Sequence, residues 1–164
     1  MNALLPRAVS AYKLLIACAS SLRSPLLLAI RLYWGWQLVV SAHAHLSDVP
    51  TMAGRFAEWG VPFPTANVYI SGLTEFTGGV LLFLGLASRL ITIPLIFNFC
   101  VAYATASREV LLNVFKDPDA FVSDAAFLFL FASLIVFVFG PGVFSLDYLL
   151  GKKFAHSPAS RPVS

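Results

Sequence analysis

Four apolar runs, at about 25–45, 66–87, 90–106 and 121–140, dominate the chain, and polar residues gather between them. Each is close to the ~20 residues a helix needs to cross a ~30 Å hydrocarbon core. None alternates apolar and polar positions as a strand would, and only helices or closed barrels satisfy the backbone in lipid. The pattern predicts an all-α polytopic membrane protein built as a four-transmembrane-helix bundle. Runs two and three are separated by little more than Ser88-Arg89, so they pair as an antiparallel hairpin. Ahead of the first run, 8–22 is short for a span. Val9, Tyr12, Ile16 and Ala19 fall on one side there, with Arg7, Ser10 and Lys13 opposite. That spacing predicts a short interfacial helix within an N-terminal cytoplasmic segment, 1–24. The membrane domain then covers 25–150, and 151–164 reads as a disordered cytoplasmic tail.

The loops set the orientation. Arg7, Lys13, Arg23, Arg89, Lys152, Lys153 and Arg161 fall on one side of the four runs. Arg55, Arg108 and Lys116 fall on the other, so positive-inside bias puts both termini in the cytoplasm of a bacterial-type inner membrane. The first outward loop can form a short interfacial helix with Met52, Phe56 and Trp59 on one side, ended by Pro62 and Pro64. Composition agrees with this picture: 59% of the 164 residues are apolar and 12% charged. The charges behind the formal +3 lie mostly outside the runs, so they orient the chain and do not suggest nucleic acid. Cys18 and Cys100 are far apart and form no C-x-x-C, which excludes a vicinal dithiol; both read as small apolar fillers.

Polar groups inside the runs carry the candidate chemistry. Ser71, Gly72, Gly78 and Gly79 lie three or four residues from Glu75 and share its face, where small residues admit a neighbouring helix. Gly35 lies one turn beyond Arg31 in the first run and packs in the same way. A rise of 1.5 Å per residue puts Arg31 about 6 Å to the cytoplasmic side of the midplane and Glu75 about 3 Å to the outward side. An Arg31–Glu75 ion pair with Asn98 in support is therefore expected as an intramembrane polar cluster. It serves equally as a clasp that fixes helix register or as a site for a polar headgroup or proton. Asp124, some 12 Å further out, is expected in an outward polar layer with His45 or Arg108. His43 and His45 point nearly opposite ways on a helix, so no metal site is expected. No phosphate-binding, dinucleotide, serine-hydrolase or zinc-protease motif occurs, and no catalytic residue is assigned.

Several of these residues stand in a familiar order. Arg31-x3-Gly35 precedes Phe56-x2-Trp59-Gly60-Val61-Pro62-Phe63-Pro64. Glu75-x2-Gly78-Gly79 and Gly85-Leu86-Ala87-Ser88-Arg89 follow, then Gly140-Pro141-Gly142-x2-Ser145-Leu146-Asp147. Over about 26–150 the chain resembles the DoxX family of small four-span membrane proteins, many of which have Thr in place of Ser88. The resemblance implies a four-helix bundle associated with redox chemistry. Related DoxD proteins form part of a thiosulfate:quinone oxidoreductase, and some DoxX members work with superoxide dismutase and a sulfurtransferase. What it implies here is a subunit of a quinone- or thiol-stress-linked membrane system, with quinone as ligand and redox enzymes as partners. A non-enzymatic scaffold stays open beside it, as does a small transporter or proton relay, although no inverted repeat is visible.

Overall fold

A computed structural model describes the backbone of residues 4–155 and the side chains of residues 9–153. Eight helices follow one another: α1 (Leu4–Ser47), α2 (Val49–Glu58), α3 (Pro64–Leu84), α4 (Ser88–Ala104), α5 (Arg108–Leu112), α6 (Pro118–Ser123), α7 (Ala125–Phe139) and α8 (Leu146–Ala155). No strand occurs among the described residues. The four long helices α1, α3, α4 and α7 pack around one core, Leu38, Leu82, Leu95, Phe99 and Val136. Two of them, α1 from Val9 onward and α3, are long and apolar enough to cross a membrane; α4 and α7 are shorter apolar helices.

Three boundaries differ from the sequence reading. The segment 8–22 is not a separate interfacial helix, because α1 runs without interruption through Pro25. A proline inside a helix removes one donor, and Ser24-Pro25 is a dipeptide that often opens a turn, yet α1 passes through it. The neighbourhood of Pro25 is tied down from outside: Arg23 donates to the Phe139 carbonyl at 2.7 Å and lies over its ring. At 1.5 Å per residue α1 is about 66 Å long, twice the hydrocarbon core, and from Val9 to Leu26 its side chains are exposed apart from half-buried Ser24. The fourth apolar run is split at Asp124, whose extended backbone and side chain cap Ala126 N at 2.8 Å and start α7 afresh. Finally, 151–155 continues α8 and is not a loose tail, while 156–164 lies outside the described residues. Cys18 and Cys100 are exposed on their helices and do not fill the core.

The tightest helix contact is between α1 and α3. A Cβ on Gly35 would stand 2.9 Å from both the Gly79 carbonyl oxygen and the Phe83 nitrogen. One on Gly79 would meet the Gly35 carbonyl oxygen at 2.6 Å. Backbone touches backbone there, so neither side can yield. Gly72 admits Leu46 of α1 and Gly78 admits Leu95 of α4. α3 ends where Gly85 turns into the left-handed region at φ 69°, which sends the chain straight into α4.

This contact makes a prediction. Gly35→Leu is expected to lower stability in detergent by about 1–3 kcal/mol, since overpacking here can be relieved only by separating two backbones. Gly54→Ala, in α2 with open space around it, is expected to raise stability by about 0.5–1 kcal/mol through helix propensity. Thermal unfolding of the purified variants checks both.

Candidate functional site

Three helices converge on Glu75, which is only 3% exposed. α1 presents Ser41 and His45, one turn apart on the same face. Ser41 Oγ donates to Glu75 Oε2 at 2.8 Å, and His45 Nδ1 lies 3.2 Å from the same oxygen. The His45 contact has ion-pair distance but falls short of hydrogen-bond alignment, leaving Nδ1 buried against the carboxylate. Within α3, Ser71 donates to Oε1 at 3.3 Å; from α4, Asn98 donates its amide to the same oxygen at 3.1 Å. An ionised carboxylate has acceptor sites for all four partners. Interhelical polar contacts in membranes average about 0.6 kcal/mol, against roughly 2.5–3.5 kcal/mol for placing an ionisable group at the bilayer centre. Three interhelical contacts, from Ser41, His45 and Asn98, thus supply about 1.8 kcal/mol, which offsets only part of that cost, so the cluster adds no net stability.

Arg31 does not pair with Glu75. It is fully buried fourteen residues before His45 on α1, at the opposite end of the bundle, where it donates through Nη1 to the Pro141 carbonyl and through Nη2 to the Phe144 carbonyl at 2.8 Å. Its guanidinium also packs where a Cβ on Gly85 would fall, and Gly85 is ten residues, about 15 Å along α3, from Glu75. A planar fork of donors suits a loop of inward-turned carbonyls, and Gly140-Pro141-Gly142 supplies one. Beside it Asp147 accepts from Ala87 N at 2.7 Å and Ser88 N at 2.9 Å, while its own N–H donates to the Gly85 carbonyl. Arg31 and Asp147 thus lock the end of the bundle at which α3 turns into α4.

The expected outward polar layer is also rearranged. Asp124 accepts from Ser107 Oγ at 2.9 Å and caps α7. His45 has gone to Glu75, and Arg108 is exposed at the start of α5. Among the helix-packing residues, Gly35, Gly72, Gly78 and Gly79 lie at helix contacts, and Ser71 serves the carboxylate. Ser41 escaped the sequence reading altogether, although its one-turn spacing from His45 was available as a signal. Arg31's partners had no such signal, because they are backbone carbonyls of a loop far along the chain.

Next to Glu75 the structure opens a cavity of about 620 Å³. Ser41, His45, Ser71 and Asn98 form its polar wall, and Phe56, Trp59, Phe97, Phe99 and Phe129 supply aromatic faces. Phe99 and Phe129 stack at 5.1 Å, and Phe56 of α2 meets the His45 ring edge-on at 6.5 Å. Because Nδ1 is buried while the side chain is 23% exposed, the accessible part of the His45 ring is away from Glu75. Asp124 and Ser107 line the same cavity, so the two polar groups that the sequence separates in depth share one space.

The DoxX family model matches residues 26–108. The chain belongs to the DoxX family. The matched stretch holds the whole Glu75 cluster on α1, α3 and α4, and stops before Asp124, Pro141 and Asp147. No curated protein matches the chain, and no solved structure does. With its apolar helices, the chain is a DoxX membrane protein.

Two outcomes follow from this geometry. Since Arg31 and Glu75 sit in separate networks, a double-mutant cycle with Arg31→Met and Glu75→Gln is expected to be additive within about 0.5 kcal/mol of unfolding free energy. The second concerns α2, which carries Phe56 into the cavity and starts on Asp48. Hydrogen bonding to Thr51, first through its side chain and then its backbone N–H, holds the Asp48 carboxyl below its ordinary 3.8. A depressed carboxyl stabilises fully above its unfolded value and loses that contribution as pH falls through the folded one. Hydrogen exchange of α2 amides, corrected for intrinsic rates, is therefore expected to lose protection only as the pH drops below 3.8. In Asp48→Asn that pH dependence should vanish.

Proposed function

We propose that this DoxX protein is a four-span inner-membrane protein that binds a quinone beside Glu75 and serves as a subunit of a membrane redox system. The observation that carries the reading is the aromatic-walled cavity of about 620 Å³ with a buried carboxylate and an imidazole in its wall. Ligand sites generally occupy about 300–1,000 Å³, mostly apolar, with a few convergent polar groups. The donors and acceptors present fit a quinone head. Asn98 uses one amide hydrogen on Glu75 and has a second for a ring carbonyl. The accessible edge of His45, held by the carboxylate behind it, can exchange a proton with a ring hydroxyl. A bound quinone would supply the two-electron chemistry; the chain's own residues bind, orient and hold the proton.

Four spans and cytoplasmic termini fit the same picture. α4 and α7 are shorter than the full core, but α6 and the Gly140–Gly142 loop extend the path of α7 at its two ends. The charged loops keep the positive-inside bias. Redox enzyme subunits are the partners that the family resemblance suggests. A purely structural scaffold would account for the Arg31 clamp, but not for a cavity built around an ionisable pair.

The test is direct. Quinone should be recovered by mass spectrometry from lipid extracts of the purified chain. Glu75→Gln should weaken binding of a decyl-chain benzoquinone about tenfold, near 1.4 kcal/mol, in protein that remains folded and inserted. An unchanged dissociation constant in such protein would defeat the assignment of Glu75 to the site.

A further inference from the structure

The cavity reaches the surface in two directions. Towards the outward end its rim carries Val61 beside the polar Asn67, Ser107 and Asp124. Sideways it opens between α3 and α4, where Ile70, Phe97 and Val101 line it although Ile70 is 61% and Phe97 71% exposed. Lining side chains left this exposed mark a mouth on that side.

The level of this side opening follows from the helix register. α3 and α4 run antiparallel and touch where Gly78 admits Leu95, and Asn98 reaches Glu75 one turn further outward. From about this contact outward the two helices line the cavity together, α3 from Glu75 back to Asn67 and α4 from Pro94 on to Ala102. Ile70 lies four residues from the middle of α3, and Val101 five from the middle of α4. The mouth thus extends to only about 8 Å outward of the helix centres, within the half-thickness of roughly 15 Å that hydrocarbon occupies.

We propose that the seam between α3 and α4 is a lateral portal. Through it an amphiphile dissolved in the bilayer passes its polar ring to Glu75 and His45 and leaves its hydrocarbon chain between Ile70, Phe97 and Val101. The inference rests on the reading of the cavity as a quinone site and adds how the ligand arrives and which residues select it. The apolar frame of the mouth favours a ligand that carries a chain, since a tailless head would leave that frame in contact with lipid alone. Depth supplies the second selection: only a molecule already partitioned into hydrocarbon meets the opening.

The experiment uses the full chain in lipid nanodiscs and follows association of the decyl-chain benzoquinone by quenching of Trp59, which lines the cavity. The Trp59→Phe protein supplies the background from the other tryptophans. Ile70→Phe and Val101→Phe add bulk at the mouth on exposed side chains, so the fold should be unaffected. Each is expected to slow association about tenfold, whereas Val61→Phe on the outward rim leaves the rate unchanged. Slowing by Val61→Phe alone, or wild-type rates in both portal variants, overturns the portal. In that case Glu75→Gln reports on the site separately, by its dissociation constant. If the wild-type protein binds no quinone in the nanodisc, the site fails and the portal fails with it.

Discussion

The backbone contact between Gly35 and Gly79 is the constraint on which the bundle depends. Lipid tails are as apolar as leucine, so burial does not drive helices together inside a membrane; close packing and polar contacts must do it. With no side chain on either residue, α1 and α3 approach until a Cβ on Gly35 or Gly79 would stand 2.9 or 2.6 Å from the other's carbonyl oxygen. That approach sets the register of everything outward of it. From Gly35 the α1 helix runs on to Ser41 and His45, while from Gly79 the antiparallel α3 runs back to Glu75. A looser pairing would leave the carboxylate beyond the reach of the α1 hydroxyl.

The two buried charges are handled in opposite ways, and the difference separates structure from site. Arg31 is held by main-chain carbonyls of a loop that Gly140, Pro141 and Asp147 shape. Its work is to close one end of the bundle. Glu75 is surrounded by short side chains from three helices, and beyond them is space. Side chains that can rotate, and an imidazole with one edge accessible, suit a place where a ligand comes and goes. Carbonyls frozen in a turn do not.

Much of the architecture was legible in the sequence. Apolar length predicted the helices, and spacing by three and four placed Gly72, Gly78 and Gly79 on the face of Glu75. Depth along the helices correctly suggested that Asn98 lies level with the acid. The Arg31–Glu75 pair failed because depth counted from the middle of each apolar run underestimates their separation: Arg31 lies level with Gly85 and Glu75 with Ser41. Ten residues of helix, about 15 Å, separate Arg31 from Ser41, which meets the carboxylate, and a competing set of carbonyls lay closer than any carboxylate. His45 was assigned to the wrong acid for a related reason: Asp124, which looked available, was already occupied as the cap of α7.

What the sequence determined by itself was the solvent and the elements. Runs of apolar residues dictate helices in lipid, since each helix satisfies its own backbone, and glycines at helical spacing dictate where two of them can meet. What only the tertiary structure decided was which polar groups meet and where empty space remains. Those depend on rotation of helices about their axes and on loops distant in sequence. The Glu75–His45 contact and the cavity beside it are products of that arrangement, with no local signature that a single run of residues could carry.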